Sequence, residues 1–384
     1  MNLPPVMFHG SVKTVRGVAN TAPYIFEFTD NYSIFDWGAM PDKLTDKGES
    51  LAFISNLLFR LLEKKEEWEK WSLPGAALDR YQESKTLKKL RNDGLVHHGL
   101  GLVDKTLESI PLNSSSKYLA VKPVKILKPE FKRNPDGSFW DYTEYEKKPL
   151  NTLVPLEIIF RFSVPKGSSL LERANDKEYC RDIGLLNTPR EGDVFNIPII
   201  EFSTKLESSD RYITYHEAME MAGLDHVEFN TLFETATLLA LRLKDYFNDV
   251  DVKLHDGKFE FAFSDVEDKD QRSFMLVDVI TPDELRLSYK NVPLSKENLR
   301  NYYRKTSWCE NVKKAKKIAE ERGEKDWKTI CETELGSTPP SLDPTVKKTF
   351  SMIYKSIANT MAMKHLEQNI FFDSWGLDKL ISKM

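Results

Sequence analysis

The sequence is poor in cysteine and has no long apolar run. Its three cysteines are odd in number and none belongs to a CxxC pair, so free thiols in a reducing compartment fit better than a disulfide framework or a zinc site. No stretch approaches the roughly 18 apolar residues that a membrane span needs. The first residues also lack the basic and apolar regions of a signal peptide. We therefore expect a soluble, cytoplasmic protein without a membrane partner.

A strong net charge and the common catalytic fingerprints are absent as well. The net charge of −4 and a pI near 6.1 give no electrostatic case for a nucleic-acid partner. The sequence contains no GxxxxGK[ST] phosphate loop, no GxGxxG dinucleotide motif and no GxSxG nucleophile elbow. What remains is an ordinary globular composition of 40% apolar and 30% charged residues, over a length sufficient for two domains.

The most informative segment is a charged alternation at residues 256–261. It reads Asp-Gly-Lys-Phe-Glu-Phe. Because the side chains of a strand alternate between its two faces, Asp256, Lys258 and Glu260 should share one face and the aromatic residues the other. A solvated strand face with incidental ion pairs would show the same pattern, so the alternation alone leaves a functional and a structural interpretation open.

A second acid, Asp278, favours the functional interpretation. It lies in the apolar run FMLVDVI at residues 274–280, where an ionised group is costly unless it is paired or bound to a metal. Mg²⁺ is usually held by one or two carboxylates together with the phosphates of its substrate. Glu260 and Asp278, with Lys258 and Arg286 to neutralise phosphate charge, therefore predict a magnesium-nucleotide site.

A predicted strand over 156–164 carries a single arginine and ends in a polar turn. Arg161 can clamp a phosphate through two parallel hydrogen bonds. In the following Lys-Gly-Ser turn, Gly167 lets the backbone approach a ligand and Ser168 supplies a hydroxyl and an amide donor. The alternative is a plain strand-end turn before a helix.

Other polar motifs are weaker taken alone. The glycine turn at 10–16 would bring Lys13 to a phosphate, but it lacks the spacing of a P-loop. The pair His97-His98 has no third ligand at metal-binding spacing, so we expect an exposed loop there. Three further segments read as turns beside apolar strands, at 29–36, 46–48 and 203–210.

Hydrophobic periodicity and turn signals predict a mixed α+β chain. Apolar residues at helical spacing predict helices, and runs rich in β-branched and aromatic residues predict strands. An Asn-Pro-Asp-Gly sequence predicts a surface hairpin inserted at 128–152. The principal predictions are helices over 51–65, 227–247 and 348–366, and strands over 8–16, 24–28, 118–127, 156–164, 250–254, 258–263 and 273–280.

Taken in order along the chain, seven segments resemble the motifs of the SAICAR synthetase family of purine biosynthesis. No single segment is specific, but their collinear order is. They are GSVK at 10–13, DNYSIFD at 30–36, DKG at 46–48, PLEIIFR at 155–161 with GS at 167–168, STK at 203–205 with Asp210, DGKFEF at 256–261 and DVITPDELR at 278–286.

The resemblance implies a bilobal α+β fold with ATP between the lobes. An antiparallel nucleotide-binding lobe would span 1–120, with an insertion around 67–117. A larger α+β lobe for substrate and metal would span 121–305, with the insertion 128–152. A helical C-terminal extension would cover 306–384.

The resemblance also implies a reaction, its cofactors and residue roles. ATP, with Mg²⁺, phosphorylates the carboxylate of carboxyaminoimidazole ribonucleotide (CAIR), and the amine of L-aspartate attacks the acyl phosphate to form the amide SAICAR. The metal would be held by Glu260 and Asp278. The nucleotide would be bound by Ser11, Lys13, Lys47 and Lys122. Substrate contacts would come from Ser33, Asp36, Arg161, Ser168, Asp256 and Arg286. Catalytic roles would fall to Lys258 near the transferred phosphoryl group, and to Lys205 and Asp210 near the amine.

Three departures from the family pattern keep other functions open. Ser11 stands where the family commonly has a lysine, Val279 replaces an acid, and the spacing from Arg161 to Ser168 is one residue longer. The alternatives are a sibling ligase that joins another amine or carboxylate, and a non-catalytic nucleotide-binding protein. The substrates are small molecules, and a homo-oligomer stays open.

Overall fold

The computed structural model describes residues 3–135, 137–268 and 271–384. Asp136, in the predicted Asn-Pro-Asp-Gly turn, lies outside these residues. The chain divides into two compact units, neither of them continuous in sequence. The first unit comprises Met1–Asn56, Gly101–Val121 and Thr281–Met384, and the second comprises Leu57–Leu100 and Lys122–Ile280. The predicted division into functional domains at 120 and 305 stays a prediction.

Within the described residues the chain alternates between strands and helices, and the predicted α+β class is confirmed. The strands are β1 (Val6–His9), β2 (Lys13–Val18), β3 (Thr21–Phe28), β4 (Gly99–Val103), β5 (Tyr118–Val121), β6 (Glu130–Asn134), β7 (Gly137–Asp141), β8 (Thr152–Ser163), β9 (Val194–Thr204), β10 (Tyr212–Ile213), β11 (Val252–Asp268), β12 (Gln271–Val277), β13 (Leu285–Tyr289) and β14 (Val292–Pro293). The helices are α1 (Lys47–Leu62), α2 (Lys65–Glu69), α3 (Gly75–Tyr81), α4 (Lys85–Asp93), α5 (Thr143–Glu146), α6 (Leu170–Arg173), α7 (Lys177–Asp182), α8 (Tyr215–Met221), α9 (His226–Asn248), α10 (Lys296–Tyr303), α11 (Ser307–Arg322), α12 (Trp327–Thr329), α13 (Pro344–Leu366) and α14 (Leu377–Ile381), with a π-helical turn at Ile330–Glu334.

The first unit combines a sheet with the helical C-terminal region. Its strands follow the order β1-β2-β3-β5-β4, and β1 to β3 form an antiparallel meander. Helix α13 begins where Asp343 accepts hydrogen bonds from two amides of the first turn, and Pro344 occupies the first helical position, where its missing N–H costs nothing. Most of its side chains from Thr349 to Ala362 are buried, so the C-terminal region is part of this unit's core.

The second unit is built on an antiparallel sheet with one apolar and one charged face. Its strands follow the order β10-β9-β8-β11, and β12 also pairs with β11. On the apolar face Phe160 stacks on Phe259, with ring centroids 4.6 Å apart. Phe202 contacts Phe229 of α9 at 5.5 Å, so α9 covers this face and the charged alternation is left on the other.

The predicted break between strands 250–254 and 258–263 is wrong. Asp-Gly is a frequent turn pair, but here Asp256 pairs with Arg161 and Gly257 with Phe160, and β11 runs through without interruption. The ladder with β8 therefore outweighs the local turn preference. The predicted strand 273–280 is also too long, since β12 ends at Val277.

The insertion contains the predicted hairpin, formed by β6 and β7 with a register of Phe131 against Trp140. Its β6 residues are all exposed. Among the described residues, no helix is long and apolar enough to cross a bilayer.

Candidate active site

The sheet register of the second unit places the charged residues of three strands on one face. Glu260 lies opposite Glu157, and Asp256 lies opposite Arg161. Residues directly opposite each other in an antiparallel pair point to the same side. The predicted grouping of Asp256, Lys258 and Glu260 on one face of the strand is confirmed, because their neighbours Gly257, Phe259 and Phe261 face the apolar core.

Glu157, Lys205, Lys258 and Glu260 form an acid–lysine cluster on this face. The Nζ of Lys205 lies 2.9 Å from Glu157 Oε1 and 2.7 Å from Glu260 Oε1. The Nζ of Lys258 lies 2.7 Å from the same Glu157 oxygen and 3.6 Å from Glu260 Oε1. The glutamates are buried, whereas each lysine side chain is 27% exposed, so a ligand can reach the cluster from the lysine side.

The surroundings of Glu260 disfavour its ionised form. Burial and then the neighbouring charge of Asp278 raise the pKa of Glu260, against the opposing effect of Lys205 and Lys258. Burial also opposes ionisation of Glu157, but Lys258 and Lys205 outweigh it, and the pKa of Glu157 is lowered. A cation between Glu260 and Asp278 would relieve the repulsion that contributes to the raised pKa of Glu260.

Asp278 takes a backbone conformation that differs from the predicted strand. It follows the last residue of β12 and has φ of +58°, in the left-handed region, which aspartate tolerates better than most residues. Its side chain is half-buried. In the described part of the chain, no three His, Cys, Asp or Glu residues form a metal-binding group. Two carboxylates fit Mg²⁺, which keeps waters and substrate phosphates as its other ligands.

Arg161 is held in place by the groups around it. Its Nε donates to the carboxylate of Glu201, and its Nη1 lies 3.5 Å from Ser168 Oγ and 3.6 Å from Asp256 Oδ2. Burial alone would lower its pKa, but the charges of Glu201 and Asp256 raise it, so the guanidinium stays charged. The structure therefore brings together three predicted substrate residues.

The longer spacing between Arg161 and Ser168 is absorbed by the turn between them. The amide of Ser168 donates to Pro165 O over 3.0 Å, and Gly167 has φ of +72°, a conformation that glycine adopts without strain. Ser168 remains within reach of the guanidinium, so this departure from the family pattern does not separate the pair.

The expectation of an exposed loop at His97-His98 is wrong. Both residues are buried: the ring of His97 stacks on Phe59 with centroids 4.6 Å apart, and its Nε2 lies 3.2 Å from Glu63 Oε2. The Nε2 of His98 lies 2.8 Å from the backbone oxygen of Asp278. The signal that indicates burial is the apolar run GLVHHGLGLV around the pair.

In the first unit, Lys47 is completely buried and its Nζ faces a carboxylate. It lies 2.6 Å from Asp283 Oδ2, while the hydroxyl of Tyr354 donates to Asp283 Oδ1 over 3.0 Å. Burial opposes ionisation of Asp283, but Lys296 and Lys47 outweigh it and lower its pKa. The pair pins the segment that follows Thr281 against the start of α1.

The other predicted site residues lie at strand ends and in loops. Gly10 closes a turn by donating to Lys13 O over 2.9 Å, and Lys13 Nζ lies 4.3 Å from the ring centre of Phe26. Asp36 is exposed and pairs with Lys316 at 2.9 Å. The rest are Ser11 (exposed), Ser33 (half-buried), Lys122 (exposed, after β5), Asp210 (exposed, before β10) and Arg286 (half-buried, on β13).

Positioned cations and carboxylates are what phosphoryl transfer requires, since that chemistry depends on orientation and charge neutralisation more than on a protein nucleophile. The fold and the charged face together define a class of enzyme that works on phosphorylated small molecules.

The chain belongs to the SAICAR synthetase family, whose sequence profile matches residues 6–114 and 143–316. A relative from Archaeoglobus fulgidus, named as a candidate phosphoribosylaminoimidazole-succinocarboxamide synthase, is 33% identical over 94% of this chain and 92% of its own length. The Saccharomyces cerevisiae synthase of that name is 30% identical over 74% of this chain and 78% of its own length.

Solved structures show the same fold. The S. cerevisiae SAICAR synthase complexed with SAICAR aligns with a TM-score of 0.55 at 20% identity, covering 93% of this chain and 94% of that one. The Ehrlichia chaffeensis synthase aligns with a TM-score of 0.50 at 19% identity, covering 78% and 92%. The family profile includes residues 67–114, which the seven motifs leave out, and does not include 115–142 or 317–384.

Proposed function

We propose that this chain joins L-aspartate to CAIR in an ATP-dependent reaction that yields SAICAR, ADP and phosphate. The main support is the family match, which covers both Arg161 on β8 and Glu260 on β11. These two strands are paired, and the two residues lie on the same charged face. The relatives named above are phosphoribosylaminoimidazole-succinocarboxamide synthases. The chain is accordingly an ATP-dependent carbon–nitrogen ligase of purine biosynthesis.

In this reaction the charged face serves to hold phosphate groups and neutralise them. Lys258 would stabilise the phosphoryl group as it moves from ATP to the carboxylate of CAIR, because its Nζ is kept in place by Glu157. Arg161 and Ser168, with Asp256 beside them, would grip the ribonucleotide. Arg161 suits this role, since its charge is maintained and its orientation is set by Glu201.

Glu260 and Asp278 are the residues that would hold Mg²⁺. The fit rests on the raised pKa of Glu260 and on the proximity of a second carboxylate that causes part of that rise. When bound, the metal would supply positive charge to the ATP phosphates. Lys205 is paired to Glu260 and so lies next to this position.

The second half of the reaction forms the amide bond. The amine of aspartate attacks the acyl phosphate carbon, phosphate leaves with the bonding electrons, and the nitrogen loses a proton. Lys205 and Asp210 would lie near this amine, and Ser33, Asp36 and Arg286 would complete the substrate contacts. Ser11, Lys13, Lys47 and Lys122 would serve the nucleotide. Of these, Lys47 would act through its pairing with Asp283, because its amine is enclosed.

The departures from the family pattern are compatible with the family's own substrates. Val279 is buried, with 8% of its surface exposed, and an apolar side chain suits that position. The family profile runs across both Ser11 and Val279, which favours the family reaction over that of a sibling ligase. Cytoplasmic localisation is supported by three buried, unbridged cysteines. A homo-oligomer remains a prediction.

The test is ADP release by the purified protein with Mg²⁺, ATP, CAIR and aspartate, with each component omitted in turn. We expect ADP to appear only when all four are present, and SAICAR to form in equal amount. ADP release that requires a different amine and ignores aspartate would establish the sibling ligase. Folded protein without turnover on any amine would contradict both.

A further inference from the structure

One buried histidine of the second unit joins three segments of the candidate site. The amide of His98 donates to Leu276 O over 3.0 Å, and its carbonyl oxygen accepts from the amide of Lys122 over 2.7 Å. Its ring Nε2 lies 2.8 Å from the backbone oxygen of Asp278. Leu276 in turn donates to Val96 O over 2.9 Å, so the segment that carries the histidine is fixed to β12.

We propose that His98 is a positioning residue for the metal site: its ring fixes the backbone of Asp278 and thereby aims the Asp278 carboxylate beside Glu260. This inference rests on the proposed function, because it assumes that these two carboxylates hold Mg²⁺. A carbonyl oxygen can only accept, so Nε2 must carry the proton in this contact. The imidazole is 2% exposed and lies edge-on to Phe59, with centroids 6.0 Å apart, so it has little freedom to turn away.

Asp278 needs such a support for two reasons. It stands one residue beyond the last ladder residue of β12, so the ladder no longer holds its backbone. It also has φ of +58°, a left-handed conformation that aspartate adopts at some cost in free energy, so a contact to its backbone stabilises it. The His98 ring donates to this backbone oxygen over 2.8 Å.

The neighbouring His97 provides a matched comparison. It is also buried, at 7% exposure, but its Nε2 lies 3.2 Å from Glu63 Oε2, its Nδ1 accepts from the amide of Gly99 over 3.1 Å, and its ring stacks on Phe59. Removing either ring therefore removes a buried imidazole just before β4, and only the removal of His98 takes away the contact with the Asp278 carbonyl.

The experiment measures metal binding directly, with Mn²⁺ as a paramagnetic probe in the presence of ADP, on the full chain. We expect His98→Ala to weaken Mn²⁺ binding by about tenfold, the usual effect of removing a group that orients a metal ligand. His98→Gln, whose amide N–H reaches the position of Nε2, should restore binding close to that of the wild type. His97→Ala should lose stability and keep its metal affinity.

Hydrogen exchange gives a readout that does not depend on metal or turnover. Amides 278–280 should exchange faster in His98→Ala and not in His97→Ala. If His98→Ala fails to fold, His98→Asn replaces it, because the shorter amide side chain cannot reach the carbonyl that Gln reaches.

The outcomes separate the inference from the proposed function. Wild-type protein that does not bind Mn²⁺ with ADP would contradict the metal site itself, and with it this inference. Wild-type protein that binds, with His98→Ala or His98→Asn binding equally well, would overturn the role of His98 and leave the proposed function intact.

Discussion

Two buried glutamates in the second unit have opposite electrostatic surroundings. Glu228, at the start of α9, accepts hydrogen bonds from Arg272 Nε at 2.9 Å and Arg272 Nη2 at 2.8 Å, and from Lys148 Nζ at 2.7 Å. Burial opposes its ionisation, but these partners lower its pKa to about 2. Glu260 has Lys205 Nζ at 2.7 Å and Lys258 Nζ at 3.6 Å, yet its pKa is raised.

The difference lies in the balance of charge. Glu228 has Arg272 as an enclosed partner, with both side chains 2% exposed, and Lys148 as a second partner that also lies 3.6 Å from Asp225 Oδ2. Glu260 shares its lysines with Glu157 and faces Asp278 as well. An enclosed and balanced pair stabilises the fold, whereas a reachable cluster with surplus carboxylate is suited to bind a cation. Burial of a charged residue alone does not distinguish the two.

Breaking the enclosed pair should have the largest effect on stability. Arg272→Met leaves Glu228 buried with only Lys148, and removing one partner of a buried ion pair costs about 3–5 kcal/mol. Urea unfolding should show a midpoint lowered accordingly, at an unchanged slope. The double variant Arg272→Met/Glu228→Met should recover part of the loss, because no uncompensated charge remains. A single variant as stable as the wild type would show that the pair is not enclosed in solution.

Replacing the Glu260 carboxylate should lower activity without lowering stability, the opposite of the effect expected for Arg272→Met. Glu260→Gln should lower kcat/KM by on the order of 10²–10³, while the melting temperature stays unchanged or rises, because a buried charge that repels Asp278 has been removed. Steady-state ADP release and thermal unfolding of the same preparation provide the measurement. A variant that keeps full activity would place the metal elsewhere.

The pH dependence of stability follows from the lowered pKa of Glu228. A depressed carboxyl pKa contributes stability that is fully present above the unfolded-state value near 4.5 and is lost as the pH falls toward about 2. We expect Glu228→Gln to remove about 2 kcal/mol of this acid-sensitive stability. The free energy of unfolding, measured in urea from pH 6 to pH 3, should therefore decrease less steeply for the variant than for the wild type. If the free energy of unfolding decreased equally with pH in the variant and the wild type, Glu228 would not be the source of the acid-sensitive stability.

The smallest expected effect concerns the half-exposed partner of the enclosed pair. Lys148 is 45% exposed, and solvent screens its contribution, so Lys148→Met should cost at most about 1 kcal/mol. Added salt should reduce the difference from the wild type. A cost as large as that of Arg272→Met would mean that Lys148 neutralises Glu228 as strongly as Arg272 does, despite its exposure.

The charged face could be predicted from the sequence because it depends on local periodicity. The alternation around Lys258 places alternate residues on one side of any strand, and Asp278 stands out as the acid in an apolar run. The collinear order of the motifs is likewise a property of the sequence alone, and it indicates the family without any tertiary contact.

The contacts that hold the site could not be predicted, because they join distant segments. Arg161 meets Glu201 through the register of β8 and β9, and His98 meets Asp278 across 180 residues. The resemblance implies that Lys47 binds the nucleotide, but its amine is enclosed by a partner, Asp283, that lies 236 residues away. Long polar side chains are rarely buried unless they are paired, and the pairing is decided by tertiary packing.

We propose that the reaction takes place at the reachable acid–lysine cluster around Glu260. The enclosed pair of Glu228 and Arg272 stabilises the fold. The most direct test compares ADP release by Glu260→Gln and Glu228→Gln with that of the wild type, at pH 7.5 with Mg²⁺, ATP, CAIR and aspartate. We predict that the first loses turnover while folded and that the second retains it. Equal activity in the two variants, or greater loss in Glu228→Gln at equal folded fraction, would contradict the assignment.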